Sequence, residues 1–199
     1  MYCMRKLKTW IALLLGLCTA VAQGAGLDAR WGLQWGQTVA EVRAKAVGWR
    51  LHEHGAGWER YLVQALPSSN PAFPTLLLLF RSGRLAEVSA FSVPYRNDGD
   101  GSLGRIAYSG AAMALAQHYG PAKPIFEVAR PRERQPAAGF YACLKQEDCG
   151  MWMRYWDHSE SFVHLELSSR LEPQTGWLVI RAVDPAQGAS AQAPGGTRP

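Results

Sequence analysis

Hydrophobic and polar residues alternate with the period of a β-strand through much of the last third of the chain. The clearest case is Ser161–Ser169, where apolar residues at 163, 165 and 167 alternate with polar residues at 164, 166 and 168. This pattern predicts a strand with one dry face and one wet face. Together with this strand, similar patterns predict a C-terminal β-meander. Its other strands are Ile125–Val128, Phe140–Cys143, Gly150–Asp157 and Trp177–Val183.

The first half of the chain predicts a short helix followed by strands. Thr38 and Glu41 have the spacing of a capping box, in which each side chain binds a backbone amide at the start of a helix. The spacing predicts a helix over Val39–Val47, ended by Gly48. The strands predicted next are Arg50–Glu53, Glu59–Leu66, Thr75–Phe80 and Leu85–Val93.

A second helix is predicted over Leu103–Tyr119, capped by Ser102 and ended by Gly120 and Pro121. Its apolar stripe consists of Leu103, Ile106, Ala107, Gly110, Met113 and Ala114. Hairpin connections are more frequent than helical crossovers in this order of elements, which favours an antiparallel sheet. The predicted class is therefore α+β, a mainly antiparallel sheet with two helices in one domain over residues 25–184.

The two ends of the chain differ from this domain. Three basic residues precede the short apolar run Trp10–Leu17, and small residues follow at 20–24, so residues 1–24 are predicted to be a signal peptide. Leu17 before Cys18 favours ordinary cleavage over lipoprotein processing. The Gln-, Gly-, Ala-, Ser- and Pro-rich residues 185–199 are predicted to be a disordered tail.

Composition and charge narrow the possible partners. The chain is 48% hydrophobic and 19% charged, which is typical of a globular protein. Its net charge of +5 falls to about +2 once the three basic residues of the signal peptide are removed. We therefore expect no nucleic acid partner, no membrane-spanning segment in the mature chain, and a periplasmic or secreted location.

Cys143 and Cys149 are the cysteines left after signal cleavage. An even number in an exported protein predicts a disulfide, here stapling a hairpin with the polar turn 145–148. The alternatives are a redox pair and a zinc site. Redox pairs favour a closer Cys-x-x-Cys spacing, and a structural zinc site needs two more ligands.

One predicted strand carries large side chains on both faces. Trp152, Arg154 and Trp156 share one face, and Met151, Met153 and Tyr155 share the other. The first set has the composition of an interface hot spot if it is exposed. If it faces the core instead, Met153 and Tyr155 are the half-exposed residues. The sequence leaves both interpretations open.

The sequence has few candidate catalytic or metal-binding residues. His164 and Glu166 share the wet face of their strand and suit a general base with its partner, but no serine or cysteine in a nucleophile elbow accompanies them. His52 and His54 share a strand face without a third metal ligand. The Asp98–Gly101 loop lacks the glycine and glutamate that an EF-hand calcium loop requires. We therefore expect no metal and no cofactor.

The segment Trp31–Gly48 resembles the opening of small periplasmic modules of the BamE/SmpA-like type. The matching residues are Gly36, Thr38, Glu41, Val42 and Gly48. The resemblance implies an adaptor or inhibitor-like domain without catalytic residues.

These observations favour an exported, non-catalytic protein-binding module, for example an inhibitor or immunity protein for an exported toxin or hydrolase. Its expected partner is another exported or envelope protein, and Trp152, Arg154 and Trp156 are its hypothetical binding residues. One alternative is a small hydrolase that uses His164 and Glu166. Another is an accessory protein of envelope assembly.

Overall fold

A computed structural model describes residues 27–129, 139–146, 149–169 and 174–187. The predicted signal peptide and residues 188–199 of the predicted tail lie outside these ranges. Residues 185–187, the start of that tail, instead form a helical turn in which Asp184 Oδ1 accepts a hydrogen bond from the Ala186 amide at 3.0 Å.

The described residues form an α+β fold dominated by one antiparallel sheet of eight strands. The helices are α1 (Val39–Arg43), α2 (Ser102–Tyr119) and α3 (Gly139–Leu144). The strands are β1 (Arg50–Gly55), β2 (Trp58–Val63), β3 (Thr75–Arg81), β4 (Arg84–Phe91), β5 (Ile125–Ala129), β6 (Gly150–His158), β7 (Ser161–Ser169) and β8 (Gly176–Val183).

The sheet consists of two four-stranded meanders that meet at their last strands. Its order is β1-β2-β3-β4-β8-β7-β6-β5, and every neighbouring pair is antiparallel. At the centre, Val88 pairs with Ala182 and Ala90 with Ile180. Each meander follows a helix, α1 or α2. The chain therefore repeats a helix-plus-four-strands topology, although its sequence has no repeat of fixed period.

The core lies on one face of this sheet. Val163, Leu165 and Leu167 of β7 are buried and belong to it, which confirms the dry face predicted for this strand. Buried residues from β3, β4 and β8 continue the same layer across the sheet. α2 packs over β6, β7 and β8, and Trp31, Leu33 and Val42 contribute from the N-terminal segment and α1.

The capping box at α1 is present as predicted. Thr38 Oγ1 accepts from the Glu41 amide at 3.3 Å, and Glu41 Oε2 accepts from the Thr38 amide at 2.7 Å. The helix ends at Arg43, earlier than the predicted Val47. Val47 instead forms a β-bridge with Ala65, which holds it in an extended conformation.

Helix α2 buries a different side from its predicted apolar stripe. The buried residues are Gly104, Tyr108, Ala112, Leu115 and Tyr119. Leu103, Ile106 and Met113 are exposed. Both sides of the helix carry apolar residues, and the side with the two tyrosines offers the larger area to bury.

The N-cap residue of α2 is Gly101 and not the predicted Ser102, and the side chain that binds the first amides of the helix is that of Asp98. Asp98 is buried, and its carboxylate accepts hydrogen bonds from the amides of Leu103 at 3.0 Å and Gly104 at 2.9 Å. It also accepts one from the Tyr141 hydroxyl at 2.7 Å. Burial alone would raise the pKa of this carboxyl, but the hydrogen bonds from Tyr141 and the two amides hold it below its usual range.

The predicted strand Phe140–Cys143 is wrong, because these residues lie in helix α3. Phe140 and Tyr141 are adjacent in sequence and both buried in the same core, whereas neighbours on a strand point to opposite faces. The disulfide Cys143–Cys149 is present, with Cα atoms 5.0 Å apart. It joins α3 to the start of β6 and does not staple a hairpin.

Glycines let α3 dock closely. A Cβ at Gly104 would lie 2.1 Å from the Tyr141 hydroxyl oxygen, and one at Gly176 would lie 1.9 Å from the Tyr141 ring. Phe140 lies equally close to Gly101. The side chains of α3 therefore occupy the space that a larger residue at Gly101, Gly104 or Gly176 would need.

We expect Gly104→Ala to lower the free energy of unfolding by about 1–3 kcal/mol, because the new methyl group would displace the Tyr141 hydroxyl. The matched control is Gly110→Ala on the same helix, where a Cβ would have no atom within 4 Å. This control should raise stability by about 0.5–1 kcal/mol through helix propensity. Urea unfolding at low protein concentration measures the free energy of unfolding of both variants. If Gly104→Ala and Gly110→Ala changed it equally, the close contact between Gly104 and Tyr141 would be contradicted.

We expect Asp98→Asn to lower stability at neutral pH by about 2–3 kcal/mol, because charged hydrogen bonds to a helix terminus and a buried hydroxyl are weakened. A carboxyl with a depressed folded pKa stabilises the fold above its ordinary pKa near ~3.9, and this stabilisation is lost as the pH falls through the folded pKa. The difference in the free energy of unfolding between wild type and Asp98→Asn should therefore shrink below about pH 4. Asp157→Asn, at an exposed position of β6, is the control and should change stability by less than about 0.5 kcal/mol.

Candidate binding surface on the open face of the sheet

The two faces of the sheet differ sharply in what lies over them. The helices of the described residues pack on the core face, and those residues place no helix on the opposite face. On that open face, Phe162, His164 and Glu166 of β7 are only half buried. Arg181 of β8, which pairs with His164, is exposed. This confirms the wet face predicted for β7 and extends it over the neighbouring strands.

Trp152, Arg154 and Trp156 lie on the core face of β6. Trp156 is 2% exposed, and its indole nitrogen donates to the Gly120 carbonyl at 2.9 Å. The Trp152 ring packs edge-on against Tyr108 of α2 at 6.4 Å and against Phe140 of α3 at 5.3 Å. These two tryptophans therefore anchor the helices to the sheet.

Arg154 is paired within the same layer. Its Nε lies 2.5 Å from Glu127 Oε1 on β5, and its guanidinium stands over the Tyr108 ring at 5.7 Å. The interpretation of these three residues as an exposed hot spot is thus replaced by the core interpretation. The physical reason is that α2 and α3 cover this face, which leaves Met151, Met153 and Tyr155 on the other one.

Tyr155 is the centre of an aromatic cluster on the open face, which consists of Phe126, Tyr155, Phe162 and His164. The Tyr155 ring stacks on His164 at 5.3 Å and 24° and lies tilted against Phe162 at 5.8 Å. Phe126 meets the Tyr155 ring edge-on at 6.1 Å, and the Tyr155 hydroxyl donates to Met153 Sδ at 2.7 Å. Burial, with a smaller effect of the nearby Glu166 carboxylate, raises the pKa of the phenol.

The cluster brings together residues from three strands, β5, β6 and β7. Met151 and Val128 pair beside it and are both more than 40% exposed, as is Phe126. Large apolar side chains thus form a continuous band on a surface that nothing in the described chain covers. Exposed apolar patches of this kind mark interaction sites in soluble proteins.

An ion pair lies next to the aromatic cluster, across the seam between β4 and β8. Arg181 Nη2 lies 2.6 Å from Glu87 Oε2, and Ser89 Oγ donates to Glu87 Oε1 at 3.0 Å. Glu87 is almost buried, whereas the Arg181 side chain is 46% exposed. The carboxylate therefore holds an arginine whose guanidinium can still reach a partner.

His164 and Glu166 are in contact, but their order does not suit hydrolysis. His164 Nε2 lies 3.3 Å from Glu166 Oε2. The hydrogen bond from His164 lowers the pKa of the Glu166 carboxyl although partial burial opposes this, and Ser168 also donates to the same group. In a serine hydrolase the imidazole lies between the serine and the carboxylate. Here the carboxylate lies between the other two, so the imidazole is not placed to take a proton from Ser168.

One concavity of the fold lies on the other side of the sheet, remote from this pair. It is a cleft of about 830 Å³ on the helix side, lined by Leu27, residues 68–73 and α2. None of the residues of the aromatic cluster borders it. The hydrolase alternative requires a substrate cleft beside His164, and this cleft does not supply one.

The other histidines and acidic residues form no metal centre in the described ranges. His52 lies 3.5 Å from Glu53, and both side chains are nearly half exposed on the edge strand β1. His118 lies in the last turn of α2, as predicted, with its ring 4.5 Å from that of Tyr119.

No helix of the described residues is long and apolar enough to cross a membrane.

Comparisons with protein-family models, with curated proteins and with solved structures find no match. The resemblance of Trp31–Gly48 to BamE/SmpA-like modules therefore stays a prediction.

We expect His164→Ala to raise the pKa of Glu166 toward the ordinary value near ~4.3, because the hydrogen bond that stabilises its charged form is lost. Titration of the Glu166 side-chain carboxyl by ¹³C NMR measures this shift. His118→Ala, at the far end of α2, should leave the Glu166 midpoint unchanged. An unchanged midpoint in His164→Ala would show that the two side chains do not interact in solution.

Proposed function

We propose that this chain is an exported, non-catalytic module that binds a protein partner through the open face of its sheet. The observation that carries the proposal is the aromatic cluster around Tyr155, which lies uncovered next to the half-exposed Arg181. Tyrosine and arginine are among the residues that contribute most to binding energy at protein interfaces. Methionines such as Met151 and Met153 add an adaptable apolar surface.

The dimensions of the open face favour a protein over a small ligand. Eight strands spaced about 4.8 Å apart and about 20 Å long span roughly 700–800 Å², although Leu79, Glu87 and Ser89 near the centre are buried. Specific protein complexes bury about 800 Å² on each partner. A small molecule would need a concave site that encloses most of its surface, and the 830 Å³ cleft lies on the other side of the sheet.

The polar groups of the face suggest the partner's charge. Arg181 keeps one side toward Glu87 and leaves much of its guanidinium accessible. A carboxylate on the partner could join this pair, since a guanidinium has five donors and can serve two carboxylates. We therefore expect the partner to present an apolar patch with an acidic group beside it.

The predicted signal peptide and the disulfide support an extracytoplasmic location. Disulfides persist in the periplasm and outside the cell, where thiols are not kept reduced. Cys143–Cys149 ties α3 to β6, the strand that carries Tyr155. A specific form of the proposal is an inhibitor or immunity protein whose target is an exported toxin or hydrolase.

The test compares two neighbouring residues of β5 that face opposite sides of the sheet. Phe126 belongs to the aromatic cluster and is 43% exposed, whereas Ile125 is 52% exposed on the core side. A photo-crosslinking amino acid at position 126, in the protein exported by its own host, should capture one partner in high yield. The same probe at position 125 should not capture it.

With the partner purified, Phe126→Ala and Tyr155→Ala should each weaken binding by about 30-fold or more, as expected for hot-spot residues. Ile125→Ala should change the dissociation constant less than about threefold. Calorimetry gives the constants, and circular dichroism checks that each variant is folded. Capture with equal yield from both positions, or unchanged affinity in Phe126→Ala and Tyr155→Ala, would refute the open face as the binding surface.

A further inference from the structure

A second cluster of aromatic and charged side chains lies on the open face, in the first meander. It consists of Trp58 and Arg60 of β2 together with Glu53 of β1, and we refer to these three residues as the β2 anchor. Tyr61, which follows Arg60, packs against the core. Because side chains alternate along a strand, Trp58 and Arg60 face away from the core, on the side of the sheet that carries Tyr155.

The side chains of the β2 anchor hold one another in place. The Arg60 guanidinium stands over the Trp58 ring at 5.3 Å, and Arg60 Nη1 lies 2.9 Å from Glu53 Oε2. The indole lies close to the backbone of β1, since a Cβ at Gly55 would be 2.5 Å from Trp58 Nε1. The anchor is therefore preorganised, which reduces the conformational entropy that its side chains lose when a partner binds.

The β2 anchor is also accessible. The side chains of Arg60 and Glu53 are 37% and 47% exposed, and Trp58 is half-buried. Arg60 repeats the arrangement of Arg181, because each guanidinium is held by one carboxylate and keeps much of its surface exposed. A guanidinium has five donors, so each arginine can also bind a carboxylate of a partner.

The middle of the open face offers a partner little surface. Leu79, Glu87 and Ser89 lie between the β2 anchor and the aromatic cluster, and they are 5%, 8% and 5% exposed. A partner that touched only this region would bury little of the face. The accessible aromatic and cationic side chains lie on the two flanks, and tryptophan, tyrosine and arginine are the residues most enriched among binding hot spots.

The distance between the flanks limits the kind of partner that can use both. β2 and β6 are separated in the sheet by β3, β4, β8 and β7. Five strand spacings of about 4.8 Å place the β2 anchor about 24 Å from Tyr155. A specific protein interface, with about 20–30 residues on each side, spans this distance.

We infer that one folded protein partner spans the open face and binds the β2 anchor together with the aromatic cluster around Tyr155. This inference rests on the proposed function and adds a second contact to it. The partner presents two apolar contacts about 24 Å apart, each beside a carboxylate that meets Arg60 or Arg181. A folded domain holds two such contacts at a fixed distance, whereas a disordered segment would lose further entropy on binding.

Photo-crosslinking on the two sides of the first meander tests this inference. Leu62 lies two residues after Arg60 and therefore on the open face. Leu51 pairs with Tyr61 on the core side of β1 and is 48% exposed, which makes it the matched control. In the protein exported by its own host, a probe at position 62 should capture the same protein as a probe at position 126. A probe at position 51 should not capture it.

Affinities for the captured protein, once purified, then test the β2 anchor itself. Trp58→Ala and Arg60→Ala should each weaken binding at least about tenfold, and Leu51→Ala should change it less than about threefold. Gly55→Ala should also weaken binding at least about threefold, because its methyl group would displace the Trp58 ring. Calorimetry measures the constants and circular dichroism checks folding, and Arg60→Ala provides the test if Trp58→Ala does not fold.

The two anchors should act independently, since contacts more than about 10 Å apart contribute additively to the free energy of binding. The fold-changes of Arg60→Ala and Phe126→Ala should therefore multiply in the double variant.

The outcomes separate this inference from the proposed function. Capture of a partner from position 126, with no capture or a different protein from position 62, would overturn the inference and leave the proposed function standing. Unchanged affinity in Trp58→Ala and Arg60→Ala would do the same. Capture from position 62 without capture from position 126 would overturn both, as would capture from neither.

Discussion

The antiparallel pairing of β4 with β8 joins the two halves of this protein. Each half is a helix followed by a four-stranded meander, and the two meanders meet at their last strands. At the seam, Val88 and Ala90 meet Ala182 and Ile180 on the core face, where α2 packs over the β8 side. On the other face the seam carries the Glu87–Arg181 ion pair. The same strand pair thus positions the core layer and the centre of the open face.

The seam explains why one face is covered and the other is open. α2 follows β4 directly. The Tyr141 hydroxyl of α3 donates to Asp98, which also binds the first amides of α2, so α2 and α3 lie on the same side of the sheet. Tyr141 packs closely against Gly104 and Gly176. Trp152 and Trp156 of β6 fill the space beneath the two helices. The alternation of β6 then requires that Met153 and Tyr155 point the other way, into the open face.

Local patterns in the sequence were enough to predict most elements and the disulfide. The alternation in β7 and the capping box at Thr38 and Glu41 are local signals that tertiary packing did not override. Phe140–Cys143 was misjudged because two adjacent aromatics are equally compatible with a strand buried on both faces. The buried side of α2 was also not predictable, since Tyr108 and Ile106 both lie on apolar sides and the choice depends on the shape of the sheet beneath.

For the binding surface, the sequence predicted which residues share a strand face but not which strands are neighbours. The sequence placed Tyr155 with Met153, and His164 with Glu166, on common faces of their strands. It did not specify that the β6–β7 register sets Tyr155 opposite His164, or that Phe126 lies beside them. Such pairings depend on which strands are neighbours and on where the helices pack, and neither is encoded in a window of ten residues.

The position of β8 also determines when the protein can become complete during synthesis. β4 is finished at residue 91, but its partner begins at residue 176, so nearly half the chain must emerge before the centre of the sheet can close. Until then β4 is an edge strand rich in apolar residues, which invites pairing with other chains. A chain that ended before residue 176 would have the first meander and only three strands of the second, with no strand to join them. The last native strand to be made is therefore the one that converts two fragments into a single molecule.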